Sequence, residues 1–214
     1  MSWSGPGRGG RRGYHHGNLR EALIRAALDL IAAKGPAGFT FAEAARQAGV
    51  SAAAPYRHFR DRDALMADVA QRGFEQFEAR LARAWNGGVP NPLAALQRMG
   101  NAYLAFAREE PAYFSAMFES GLGAVHHPGL GTAQERAFAV LRNACDVIVA
   151  EQPAGRRPPS LMMALHIWAL SHGIASLFAR GDEARRAVPM DPEELLEAGT
   201  LVYLQGLGIV DTPR

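Results

Sequence analysis

Apolar residues recur along most of this chain at the three-and-four spacing of amphipathic helices, and no run alternates apolar with polar positions long enough to argue a strand. The expected fold is all-α. Leu19, Leu23, Leu30 and Ile31, with Ala26 and Ala27, form the buried stripe of a first helix that runs from an Asn18 cap, boxed with Glu21, to Lys34 before Gly35-Pro36. Thr40 and Glu43 make a second capping box, with Phe39 in the staple position, and open a helix to about Ala48. Gly49 can then take the left-handed backbone of a tight turn at little steric cost. Ser51 caps a third short helix, Ala52 to about Phe59. Two short helices about a glycine, with Ala44, Ala45 and Ala48 where their axes approach, read as a helix-turn-helix.

Asp61 caps a long fourth helix carrying Leu65, Val69, Phe74, Phe77 and Leu81, and Asn86-Gly87-Gly88 ends it. Further helices open at Asn91-Pro92 and at Pro111, followed by a Gly- and His-bearing loop over 120–131. Thr132 with Glu135 opens the next, to about Ala150. Ser160 precedes an apolar helix to about Arg180, and Asp191-Pro192 with Glu194 starts a last one to about Leu207. That makes about nine helices without an internal repeat. Three divisions follow: a flexible basic arm over 1–13, a helix-turn-helix domain over 14–66, and a helical body over 67–214.

Charge separates the two ends of the chain. Residues 1–60 hold nine Lys and Arg against three Asp and Glu, a balance of +6, and residues 61–214 hold fourteen against eighteen, a balance of −4. A basic end on a mildly acidic body suits a polyanion, nucleic acid first of all, although Arg8, Arg11 and Arg12 in their Gly-rich stretch also suit a solubilising tail. The 214 residues suffice for a substantial core. The single Cys145 cannot form an internal disulfide and fits a reducing compartment. With no uninterrupted apolar run of membrane-spanning length and no signal-peptide pattern, the expectation is a cytoplasmic protein with no membrane partner.

The second helix of a helix-turn-helix enters the major groove, where base edges are distinguishable. Here Arg57 can present a bidentate fork to guanine, Tyr56 and His58 can bond phosphate oxygens, and Ala52 to Ala54 allow close approach or meet a thymine methyl. The other reading is a hairpin inside an ordinary bundle, with Tyr56 and Phe59 as core aromatics.

Gly13 to Ala67 resembles the DNA-binding domain of the tetracycline-repressor (TetR) family. The likeness lies in Tyr14-His-His-Gly-Asn-Leu-Arg-Glu-Ala-Leu, Phe39-Thr40-Phe41, the turn from Ala44 to Val50, and Tyr56-Arg-His-Phe followed by Arg62-Asp-Ala-Leu. It implies a homodimeric regulator, usually a repressor, with a C-terminal helical ligand and dimerisation domain. By the same resemblance Ala53, Ala54, Tyr56 and Arg57 face bases, while Thr40, Ser51, His58 and Arg62 touch phosphate or position the helix. Two departures stand out. Pro55 replaces a usual apolar residue such as Leu and removes an early helical bond, which would tilt or tighten the recognition helix. Arg62 replaces a usual Lys, which keeps the charge and changes the donor geometry.

Ile167-Trp168-Ala-Leu-Ser-His172-Gly173 is similar to the Trp-His-Gly signature of one C-terminal domain type in this family. Trp168 and His172 share a helix face and either contact a ligand or pack near the core or a dimer seam. Tyr103, Phe106, Phe114, Met117 and Phe118, with Tyr113, either line a cavity for an apolar effector or are plain core.

No metal or cofactor is expected, since His126-His127 lacks the further ligands of a closed site. No enzyme is expected either: Gly-x-Ser-x-Gly, His-Glu-x-x-His and a Walker loop are all missing from the sequence, and Cys145 lies on a core pattern. The expected function is a sequence-specific, homodimeric regulator released from a near-palindromic double-stranded operator by a small apolar molecule. The alternatives are a helical DNA-binding protein without an effector, or an all-α enzyme.

Overall fold

The long helix after the head decides the architecture, because its apolar residues recur on more than one face and so must be covered by several neighbours. A computed structural model describes residues 19–178 and 190–211. The basic arm, the Asn18 cap and the helix end at Arg180 lie outside the described residues. Among those described there are eight α-helices and no strand: α1 Leu19–Lys34, α2 Phe41–Gln47, α3 Arg62–Trp85, α4 Pro92–Glu109, α5 Pro111–Glu119, α6 Pro128–Ala150, α7 Ser160–Phe178 and α8 Pro192–Gly206. α3 packs most extensively on α6, then on α4 and α5, and also carries α1. α7 lies against α6, α8 and α4. One hydrophobic cluster runs through all of them, from Leu23 to Leu204.

Capping chemistry sets many of the boundaries. The Asp61 carboxylate accepts from the Ala64 N–H at 2.8 Å, Asn91 accepts from Ala94 at 2.9 Å, and Asp191 accepts from Glu193 and Glu194. Proline is the first helical residue of α4, α5, α6 and α8. Three expectations are corrected. α6 begins at Pro128, so Thr132 is inside the helix and its hydroxyl donates to the Pro128 carbonyl. The preceding loop is correspondingly shorter than 120–131. The Glu21 carboxylate accepts two hydrogen bonds from the Arg72 guanidinium, at 2.5 and 2.7 Å, which ties α1 to α3, and its expected box with Asn18 lies outside the described residues.

The third correction concerns the recognition segment. It is a four-residue 3-10 turn, Ala54–Arg57, rather than an α-helix from Ala52 to Phe59, which accounts for eight α-helices in place of nine. Pro55 sits inside this turn with no N–H to give, and the turn closes through the His58 and Phe59 N–H groups on the Pro55 carbonyl, at 2.9 and 3.0 Å. Tightening of this segment is what the proline predicts.

Candidate nucleic-acid interface

α2 starts on a complete capping box: Thr40 Oγ1 accepts from the Glu43 N–H at 3.2 Å, and the Glu43 carboxylate accepts from the Thr40 N–H at 2.8 Å. Lys34 also donates to this carboxylate at 2.7 Å, and these bonds, led by that from Lys34, hold the Glu43 pKa down at about 2. α2 ends in a Schellman arrangement, with the Val50 N–H on the Ala45 carbonyl at 3.0 Å and the Gly49 N–H on that of Arg46 at 3.1 Å. Gly49 has φ +73°, a left-handed backbone that favours glycine. The chain thereby turns sharply into the recognition segment.

That segment sorts its side chains by face. Pro55 and Phe59 are buried. Ser51, Ala52, Ala53, Tyr56, Arg57 and His58 are exposed and Ala54 half-buried, with Tyr56 at 63% exposure. Phe59 is therefore the core aromatic and Tyr56 is not. The Tyr56 ring is braced edge-on by Phe41, with centroids 5.0 Å apart. Ser51 supports the turn through its backbone carbonyl, which accepts from the Ala54 N–H at 3.0 Å, while the cap position itself falls on Ala53.

Arg62 is spent on the fold. Its Nε donates to the Phe39 carbonyl at 2.9 Å, a terminal nitrogen donates to the Pro36 carbonyl, and the guanidinium lies 4.9 Å over the Phe39 ring. It pins the α1–α2 loop to the start of α3, the positioning half of its expected role. Sequence reasoning missed two exposed cations flanking the turn, Arg46 at the end of α2 and Arg60 after Phe59. Arg60 pairs with Asp61 at 2.8 Å while remaining 87% exposed. Their signal was their place beside the turn rather than a motif.

In the body, five of the expected ligand residues meet one another. Tyr103 Oη and His172 Nδ1 are 3.0 Å apart, and the Phe118 and Phe114 rings lie 4.7 and 5.6 Å from the His172 ring. Trp168 stands edge-on to Tyr103 at 5.5 Å. Phe106 joins through Phe77, at 5.1 Å, and Met117 lies over Gly73, where a Cβ would meet its sulfur at 2.7 Å. Phe77 and Phe138, each touching Trp168, were read from sequence as no more than helix-face residues or not at all. Burial pushes the Tyr103 phenol pKa up and the His172 imidazole down. The space beside Tyr103 and Trp168 is about 20 Å³, room for a single water. A larger cavity, about 280 Å³, opens between α4, α7 and α8. Among the described residues no three His, Cys, Asp or Glu groups gather as a metal site would require.

Residues 23–69 match the family model for bacterial regulatory proteins of the tetR family, and residues 96–203 match that for the tetracyclin repressor-like C-terminal domain. A protein with unknown function from Rhodococcus sp. RHA1 has a similar structure, 29% identical, with a TM-score of 0.75 over 92% of this chain and 98% of that one. The TetR family transcriptional regulator PfmR from Thermus thermophilus is 20% identical, with a TM-score of 0.66 over 86% and 97% of the two chains. The fatty acid degradation regulator FadR from Bacillus halodurans is 14% identical, with a TM-score of 0.70 over 91% and 98%. At those identities PfmR and FadR show a shared fold alone. No curated protein matches the chain.

Proposed function

Because the chain belongs to the TetR family of bacterial regulatory proteins, we propose that it is a homodimeric cytoplasmic repressor that binds a near-palindromic operator and leaves it when a small molecule enters its C-terminal helices. The observation that carries this reading is the outward edge Tyr56-Arg57-His58 on a turn whose inner residues, Pro55 and Phe59, are buried. Arg57 takes guanine, Ala53 and Ala54 approach the bases, and Tyr56 adds a base or backbone contact. Thr40, Ser51 and His58 meet phosphates, with Arg62 holding the loop behind them.

α7 offers the pairing surface. It is long and apolar enough, by length and composition alone, to cross a bilayer, yet only 33% of that window is buried in the protomer. Leu161, Met162, Leu165 and Leu177 are exposed, with Ala169 and Gly173 on the same side, and among the described residues no atom beyond the helix's own backbone lies within 4 Å of a Cβ built on Gly173. α8 adds exposed Leu201 and Val202. An apolar stripe with small residues at its centre suits a second copy, and two α7–α8 pairs would make a four-helix bundle. The bundle would hold the heads about 34 to 36 Å apart, one turn of DNA, or a multiple of it. A ligand that prefers another spacing would shift the population off the operator.

Selection of bound DNA from a random pool at moderate salt tests this reading, with light scattering on the same sample. An inverted repeat and twice the 23.0 kDa protomer mass are expected. A pool without enrichment, or a monomer at micromolar concentration, overturns it.

A further inference from the structure

The cavity between α4, α7 and α8 differs from the aromatic cluster in both space and chemistry. Its floor is formed by buried Leu96, Ile167, Leu196 and Leu204, with the buried hydroxyl of Ser171. That hydroxyl donates to the Ile167 carbonyl at 2.8 Å, which leaves its acceptor lone pairs for an occupant. The mouth is polar, with Gln97 and Asn101 on α4 facing Glu197 and Thr200 on α8. Of the described lining residues Glu197 alone is charged, and among the described residues it enters no ion pair. Leu96, Gly100, Ile167 and Ser171 form a wall shared with the small space beside Tyr103 and Trp168. Gly100 lets α8 approach closely, since a Cβ there would stand 2.9 Å from Leu196 Cδ2.

We propose that this cavity is a small-molecule site for a compact amphiphile, with an apolar body on the leucine and isoleucine floor and a cationic amine at Glu197. The volume of about 280 Å³ holds roughly nine water-sized heavy atoms, below most drug-sized pockets, so the occupant is small. The charge balance of the mouth sets the ligand class. A carboxylate head would meet Glu197 with no basic side chain among the described lining residues to offset it, whereas an amine is attracted and a hydroxyl is tolerated by the amides. Leu201 belongs both to this mouth and to the exposed α8 seam, so an occupant would press on the helix proposed to pair the protomers. That regulatory consequence rests on the repressor reading above; the binding chemistry does not.

Isothermal titration of the full-length protein with octylamine, octan-1-ol and octanoate tests the site. Octylamine is expected to bind about tenfold more tightly than octanoate, the scale that attraction replaced by repulsion at one exposed charge supplies, with octan-1-ol between them. Glu197→Gln, an exposed change, should bring amine and carboxylate to near parity. Thr200→Phe should fill the mouth and weaken all three probes at least tenfold, and Tyr103→Phe, in the aromatic cluster, should leave them binding. Octanoate matching octylamine, undiminished binding to a folded Thr200→Phe protein, or no binding of any probe overturns the proposal. If Thr200→Phe fails to fold, by circular dichroism, Glu197→Gln decides. DNA selection separates the two proposals: an operator-selecting chain that binds no probe overturns this site alone, and a probe-binding chain that selects no DNA overturns the repressor reading alone.

Discussion

The recognition turn and the aromatic cluster of the body draw on the same kinds of side chain, Tyr, Phe and His, and put them to opposite uses. In the head, Phe59 goes inward while Tyr56 and His58 stay in solvent, and the backbone around them is fixed by the Pro55 and Gly49 geometry. In the body, Tyr103, Phe114, Phe118, Trp168 and His172 satisfy one another, with the tyrosine hydroxyl on the histidine ring and the other rings closed around them. The lesson is that a side chain's availability follows from where the backbone points it. The head spends little of its own stability on its outward groups, and the body spends nearly all of its aromatic surface on stability.

Substitutions should separate the two regions. The largest effect is expected at Phe77, fully buried against Tyr103, Phe106 and Trp168. Phe77→Ala should cost about 3 to 5 kcal/mol in chemical unfolding, from lost burial and the cavity left behind. A loss under about 1 kcal/mol would mean that the cluster is loosely packed and could open for a ligand. Next comes Arg57→Ala. It should lower affinity for the selected operator by about 1 to 3 kcal/mol and relax preference at one base position, with unfolding stability unchanged within about 0.5 kcal/mol. An equal loss on every sequence would reassign Arg57 to phosphate. Thr40→Ala ranks third: it opens the capping box at the start of α2 and should cost about 1 kcal/mol, read by hydrogen exchange in the head.

How much of this was legible in the residues depends on the range of the interaction. Caps are local, so Thr40 with Glu43, Asp61, Asn91 and Asp191 marked their helices correctly from sequence. Glu21 also binds Arg72, fifty-one positions away, a partner no local rule supplies. Pro55 announced a tightened turn, and the whole segment became 3-10. In the body, the stripes of α4, α5 and α7 named most of the cluster, but whether they enclosed space or filled it depends on how helices distant in sequence close over one another. The cavity between α4, α7 and α8 was invisible for the same reason, since Gly100, Ser171 and Thr200 acquire meaning only when α8 is laid on α4.

The smallest effect is expected from pH, and it too should divide the regions. Burial lowers the His172 pKa below its usual 6.5, against an opposing pull from Glu119. The folded body therefore prefers the neutral ring: its contribution is intact above pH 6.5 and is lost as pH falls from there through the lowered value. Glu43 in the head has its carboxyl held at about 2 against the usual 4.5, so the capping box keeps its contribution down to about pH 4.5 and loses it on further descent towards 2. Between pH 6.5 and 5 the body should soften while the box holds. Fluorescence of Trp168 beside His172 during urea unfolding reports the body, and amide exchange at Glu43 reports the head. His172→Gln should flatten the body's dependence in that window and leave the exchange at Glu43 unchanged. If both regions instead weaken together from pH 6.5 downward, the ties of Glu21 to Arg72 and Arg20 to Asp68 between α1 and α3 make head and body a single cooperative unit. The contrast drawn between them would then hold for side-chain exposure and not for stability.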